Sequence, residues 1–163
     1  MKTIMFAGAE VMPFGATGGL GDVLGSLPAA IKAKCGDEAD VSVVMPLYAA
    51  VKPEWREKMT LVKEFTVALS WRNQDCGVKM LEKDGVKFYF IDNEYYFGRE
   101  KLYGYGDDGE RFAFFSKAVV DMMAELNYYP DVFNANDWQT AAAVVYLKRL
   151  YNDKWGYDHI KTV

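Results

Sequence analysis

Apolar and polar residues recur with different periods along this chain of 163 residues. Lys2–Ala7 is a short, nearly continuous apolar run, the pattern of a buried strand. A glycine-rich stretch, "FGATGGLGDV" (Phe14–Val23), follows it. From Leu20 the apolar positions fall at 20, 23, 24, 27 and 31, the spacing of a helix. Pro28 interrupts that stripe and predicts a kink or an early end. "DVSVVMPLY" (Asp40–Tyr48) is a β-branched run closed by Pro46 and reads as a second strand. Strand, glycine loop, helix and strand make a βαβ unit, which requires a parallel sheet with helices on its faces.

The middle of the chain changes period. "LVKEFTVALSW", "CGVKMLE" and "VKFYFID" read as strands, and Asp84-Gly85 between the last two is a strong hairpin signal. The pattern predicts a β-hairpin inserted at one end of the parallel sheet. Helical spacing then returns, with apolar residues at 112, 115, 118, 119, 122, 123 and 126. Asp107 and Glu110 before that stripe are placed as a capping pair. "YYPDVFNAN" reads as a strand, Asp137 as the cap of a helix from Trp138 to about Tyr151, and "HIKTV" as the start of another strand. The chain stops within that pattern, as a fragment does. The expected fold class is α/β: a Rossmann-like parallel sheet with helices on both faces and an inserted β-hairpin.

Charge narrows the function classes. Lys plus Arg number 19 against 23 Asp plus Glu, a net charge of −4, and nucleic-acid or anionic-membrane binding needs a basic face. No apolar run reaches the length of a membrane span, and no charged leader with a cleavage site precedes the first strand. The expectation is a cytoplasmic protein without nucleic-acid or membrane partners. Cys35, Cys76 and His159 form no CxxC or His-x-His pair, so no metal site is expected. A single histidine near the chain's end makes a Ser-His-Asp triad improbable.

Three segments carry candidate chemistry. The glycine loop lacks a Gly-Lys dipeptide, which excludes a Walker A loop. Leu24 stands where the third glycine of a dinucleotide fingerprint belongs, and the second strand ends in Met45-Pro46-Leu47 instead of an acidic residue. Two readings stay open: a tight turn without a ligand, or a helix N-terminus whose N–H groups face an anion or polar substrate. The belt from Phe88 to Phe115 carries Tyr95, Tyr96, Tyr103 and Tyr105 among charged residues. Tyrosines beside Gly104 and Gly106 are placed on a loop, where a ring offers an apolar face to sugar C–H groups; ordinary packing is the other reading. "NDWQT" (Asn136–Thr140) sits between strand and helix, at the sheet edge where open α/β folds bind ligands.

Taken together, "MFAGAEVMPFGATGGLGDVLGSLP", "VVMPLY", "FYFIDNEYYFGREKLYGYGDDGERFAFFSKAVVD" and "PDVFNANDWQTAAAVVYLK" carry a resemblance that no one of them carries alone. In order and spacing the chain resembles glycosyltransferase family 5, the bacterial glycogen synthases and plant starch synthases, over nearly its whole length. The resemblance implies a GT-B architecture, two Rossmann-like domains facing each other across a cleft. Residues 1–163 would then be a single, truncated N-terminal domain on the acceptor side, with the C-terminal domain absent from this chain. The implied reaction transfers glucose from ADP-glucose to the non-reducing 4-hydroxyl of an α-1,4-glucan with retention. ADP-glucose is a substrate there, and neither a cofactor nor a metal is implied; preference for ADP- over UDP-glucose stays open.

The same resemblance implies residue roles. The family's Lys-Thr-Gly-Gly-Leu motif stands here as Ala16, Thr17, Gly18, Gly19 and Leu20, so the donor-side lysine is absent while Gly18 and Gly19 would approach the donor through their backbone. Asp22 and Asp107 match acidic residues of the cleft, and Gln139 stands where many members carry histidine. Those three are the catalytic candidates. Tyr95, Tyr103, Tyr105, Asp137 and Trp138 are the glucan-contact candidates. The competing reading is a non-catalytic Rossmann-like module that binds a nucleotide or carbohydrate.

Overall fold

In the computed structural model, which describes all 163 residues, seven strands form one sheet. These are β1 (Lys2–Ala7), β2 (Ala39–Pro46), β3 (Thr60–Leu69), β4 (Arg72–Lys83), β5 (Val86–Asp92), β6 (Val132–Ala135) and β7 (Lys161–Thr162). Their spatial order is β3-β4-β5-β2-β1-β6-β7. Pairs β5–β2, β2–β1, β1–β6 and β6–β7 are parallel; β3–β4 and β4–β5 are antiparallel. Successive residues of a strand face opposite sides. Val43, Val44 and Met45 are all fully buried, as are Phe90 and Ile91, so the central strands are covered on both faces. That double burial explains their unbroken apolar runs.

The sheet is therefore mixed. "VKFYFID" is itself a member of the parallel core, because β5 pairs with β2 (Val43↔Phe88, Met45↔Phe90). The antiparallel addition at the edge is β3–β4, joined to the core through the Asp84-Gly85 turn. Both turn residues have positive φ, 54° and 73°, the requirement of a two-residue hairpin turn whose twist matches its strands.

Helix α1 spans Gly19–Cys35 and contains Pro28. The expected early end does not occur. Proline removes one N–H from the ladder, but Leu24 and Pro28 are both buried, and that packing outweighs the local preference. Two short helices, α2 (Pro53–Arg56) and α3 (Glu94–Phe97), lead to the long α4 (Asp108–Glu125). In α4 the stripe 112, 115, 118, 119, 122 and 123 is buried as the spacing predicts. After β6 comes a continuous helical path of changing pitch: a 3₁₀ turn (Trp138–Thr140), α5 (Ala141–Val145) and a π-helical turn (Tyr146–Leu150). No helix is long and apolar enough to cross a membrane.

Candidate functional site

The order in which strands are added reverses at β1. From it the chain runs outward to β2 on one side and later returns to β6 on the other. Such a switch point opens a crevice at the carboxyl ends of the strands. The loop after β1 holds the glycines, and the loop after β6 holds Asn136 and Asp137.

The glycine loop is folded on itself before it reaches α1. Val11 and Gly15 exchange backbone hydrogen bonds at 2.9 and 3.0 Å. Phe14 at its tip is buried with its ring edge-on to Trp55, Phe88 and Phe90. The glycines then divide into two kinds. A Cβ on Gly21 would stand 2.2 Å from the Ala16 Cβ, and one on Gly25 2.7 Å from the Met12 carbonyl oxygen; both allow close approach of helix and loop. Around Gly18 and Gly19 a Cβ would meet nothing within 4 Å. These two border open space.

Sequence reasoning missed the residue that organises this loop. Glu10, only 4% exposed, accepts hydrogen bonds from the Thr17 amide (2.7 Å), the Thr17 hydroxyl (2.7 Å), the Gly18 amide (2.9 Å) and the Tyr103 hydroxyl. Burial alone would raise its pKa, but the hydrogen bonds from Tyr103, Thr17 and Gly18 together hold it below the ordinary carboxylate value. The same bond raises the Tyr103 phenol. An internal carboxylate thus occupies part of the place expected for an external anion. This corrects the sequence reading: the Thr17 and Gly18 amides are engaged inside the protein. The amides of Gly19 and Leu20 have no acceptor in the chain and are the ones available to a ligand.

Asp22, in the first turn of α1, is exposed, and its carboxylate makes no ion pair or hydrogen bond within the chain. Ala16 faces inward against Gly21. Asp107 departs from its expected arrangement. It sits at the N-cap of α4 without capping it; its carboxylate oxygens instead accept two bonds from Arg99, each 2.7 Å. Glu110 likewise turns away, to the Tyr96 hydroxyl at 2.6 Å and to Arg72 at 2.9 Å. The capping pair does not form: Arg99 holds the Asp107 carboxylate, and Tyr96 with Arg72 holds that of Glu110. Arg99 lowers the pKa of Asp107, so the carboxylate is ionised and paired.

The tyrosines separate. Tyr96 is fully buried in the aromatic core, with its ring 4.8 Å from that of Phe114. Tyr103 reaches the glycine loop. Tyr105 accepts from the Lys101 amide at 2.8 Å, and its ring meets Arg99 and Arg111 at 5.1 and 4.9 Å. Tyr95 is 53% exposed. Arg111 anchors the segment from beneath: fully buried, it donates to the carbonyls of Tyr96 and Leu102 and to Asp108. These ties hold Tyr103 and Tyr105 beside the strand ends.

Across the crevice, Asp137 has φ 65° and ψ 179°, a conformation that costs a non-glycine residue about 1–3 kcal/mol. Its carboxylate accepts from the Trp138 amide at 2.7 Å. Trp138 is half exposed with its ring edge-on to Phe112 at 5.2 Å. Gln139 is buried, not open to solvent, and its Oε1 has no hydrogen-bond partner. No group of three or more His, Cys, Asp or Glu is placed to hold a metal ion. The site is an open shelf; concavities of about 810 and 470 Å³ lie instead along the β3–β4 hairpin.

Comparison with known proteins places this shelf in context. Residues 3–163 match the family model described as the starch synthase catalytic domain. A glycogen synthase of Alkaliphilus metalliredigens is 47% identical over 160 residues, covering 98% of this chain and 33% of the relative. One of Lactococcus lactis is 50% identical over 163 residues, covering 98% and 34%. Among solved structures, the catalytic domain of starch synthase IV from Arabidopsis thaliana, bound to ADP and acarbose, matches with a TM-score of 0.86 and 26% identity over 99% of this chain and 32% of that one. The chain thus spans about a third of the length of the curated relatives it matches.

Proposed function

The chain belongs to the starch synthase catalytic domain family, and from that premise we propose that it is the acceptor-side part of a longer cytoplasmic enzyme. That enzyme transfers glucose from ADP-glucose to the non-reducing 4-hydroxyl of an α-1,4-glucan with retention of configuration. The observation that carries this reading is the shelf at the β1–β6 switch point. Two unengaged amides (Gly19 and Leu20) and an unpaired carboxylate (Asp22) stand on one side, and Asp137 with the half-exposed Trp138 on the other. Similarity to a starch synthase solved with ADP and acarbose supports the choice of ligands.

The residues divide the work by their chemistry. Amides at a helix N-terminus present about half an elementary charge, enough to orient a diphosphate or sugar but not to neutralise it. Asp22 and Asp137 accept hydrogen bonds from sugar hydroxyls, and Trp138 offers a face to glucose C–H groups. Glu10 and Tyr103 fix the loop so that these donors point outward. On this reading, positive charge on the leaving diphosphate comes from a further domain.

The experiment is incorporation of radiolabelled glucose from ADP-glucose into glycogen, by the full-length protein and by residues 1–163 alone. Removing one electrostatic donor from such a site typically costs about 10²–10³ in rate, so the full-length protein should turn over and the chain alone should read background. Turnover by the chain alone overturns the division; inactivity of both with every sugar nucleotide favours the non-catalytic module.

A further inference from the structure

Two segments border the shelf, and each is closed on itself. The glycine loop is tied by Val11 to Gly15 and by the Met12 amide to the Gly21 carbonyl at 3.0 Å. Residues 98–108, which carry Tyr103 and Tyr105, are tied to one another and to α4. Arg99 grips Asp107 through two bonds of 2.7 Å. The Gly104 amide donates to the Asp108 carboxylate at 2.6 Å, the Lys101 amide to the Tyr105 hydroxyl at 2.8 Å, and Arg111 to the Leu102 carbonyl at 3.1 Å.

Between the two segments a single side chain carries the hydrogen bonding. The Tyr103 hydroxyl donates to Glu10 and lies against the Thr17 hydroxyl, 86 residues away in sequence. No backbone bond joins residues 98–108 to residues 8–26; Leu102 beside Gly15 adds an apolar contact. The Glu10 carboxylate gathers the joint. One of its oxygens accepts from the Thr17 and Gly18 amides, the other from the Thr17 and Tyr103 hydroxyls. Gly18 immediately precedes the Gly19 and Leu20 amides that are free for a ligand. Glu10, and to a lesser degree Asp137 across the crevice, push the Tyr103 phenol up in pKa, so its proton stays in place through the neutral range. With that proton committed to Glu10, what Tyr103 leaves for a sugar is its ring.

We propose that the Tyr103 hydroxyl couples the two substrate sides of the shelf, so that a glucan resting on the 98–108 segment strengthens binding of the sugar nucleotide at the glycine loop. The coupling rests on the glucan-synthase reading above. It needs two arrangements, and the joint supplies them. With the Tyr103–Glu10 bond made, loop and segment move as one body. With it broken each moves alone, and Gly18 and Gly19, which border open space, are ordered only when the donor arrives. A ligand on either side favours the joined arrangement, because ordering one side then orders the other. Linkage makes the effect reciprocal: the donor strengthens glucan binding by the same factor. Tyr103 is on this account a positioning residue, acting on the donor through Glu10.

The test is Tyr103→Phe in the full-length protein, which removes the hydroxyl and keeps the ring that packs against the core. ADP, which has no glucose to transfer, is titrated calorimetrically with and without saturating maltotriose, and maltotriose with and without saturating ADP. In the unmodified protein each ligand should lower the Kd of the other by about 5-fold or more, the low end of usual coupling. In Tyr103→Phe that coupling should vanish, while ADP alone still binds because the Thr17 and Gly18 amides still hold Glu10. A purely structural hydroxyl would weaken ADP equally with and without maltotriose and leave the coupling factor in place, which overturns the proposal. Independent binding of the two ligands by an unmodified protein that does transfer glucose overturns it too, and leaves the catalytic reading standing. Absence of glucose transfer by the unmodified protein removes the catalytic reading, and the coupling with it.

Discussion

Glu10 shows how one side chain sets the chemistry of a loop whose motif residues lie elsewhere. Its carboxylate engages Thr17, Gly18 and Tyr103, so replacing it by an isosteric amide keeps shape and removes charge. Hydrogen bonds to a charged group contribute roughly 1.5–3 kcal/mol. Glu10→Gln in the full-length protein should therefore lower kcat/KM for ADP-glucose about 10–100-fold; an unchanged value would make the loop's geometry independent of Glu10. Its pKa also predicts a pH effect. The folded value lies below the ordinary 4.5, so the stabilisation is complete above that pH and is lost as pH falls through the folded value. Circular dichroism melts between neutral and acid pH should show a steeper loss below the ordinary carboxylate range in the unmodified protein than in Glu10→Gln; parallel curves would contradict the assignment. Asp22 predicts the opposite balance. As an exposed carboxylate at a helix N-terminus it contributes only ~0.3–1 kcal/mol to stability, so Asp22→Asn should cut turnover strongly while barely moving Tm. A large Tm loss with intact specific activity would make Asp22 structural. None of this was visible in Glu10's own sequence surroundings. Glu10 lies inside a segment that carries the resemblance, but no periodicity or charge pattern there marks its role, and Tyr103 is 93 residues away along the chain.

At the scale of elements, glycines that look equivalent in "FGATGGLGDV" perform different tasks. Gly21 permits close approach to Ala16, whereas Gly18 and Gly19 border open space. Gly21→Ala should destabilise by about 1–3 kcal/mol, the usual effect of overpacking, as read by urea denaturation. Gly19→Ala should leave stability near its starting value and instead raise the ADP-glucose KM, because its Cβ enters the ligand's space. Equal stability losses in both would show that the distinction is not real. Strands and α4 were legible because burial imposes their period: β5 between β4 and β2, and the α4 stripe against the sheet. In α1 only Leu24 of the stripe is buried, while Val23 and Leu27 are 47% and 43% exposed. Less legible were the features set by partners distant in sequence or by competing charges. Asp107 is placed as a cap by its spacing, yet Arg99 captures it. Pro28 obeys a local rule that the packing of α1 overrides. Tyr96 and Tyr95 are adjacent in sequence, but α3 buries one and exposes the other.

The whole molecule carries half of a chemical problem. Its shelf offers amide dipoles, carboxylates and aromatic faces. The arginines of the 93–111 segment are already committed: Arg99 to Asp107, Arg111 to Asp108 and backbone carbonyls. With Ala16 at the motif's lysine position, no uncommitted cation stands in the glycine loop. On the proposed reading, this chain orients the donor, and charge from another domain binds it. Calorimetric titration of ADP-glucose into the full-length protein and into residues 1–163 tests that claim most directly. Loss of two charge-assisted hydrogen bonds to the diphosphate, at roughly 1.5–3 kcal/mol each, should weaken binding to residues 1–163 by about 100-fold or more. Equal affinity in the two proteins would place the binding charge within this chain and contradict the account.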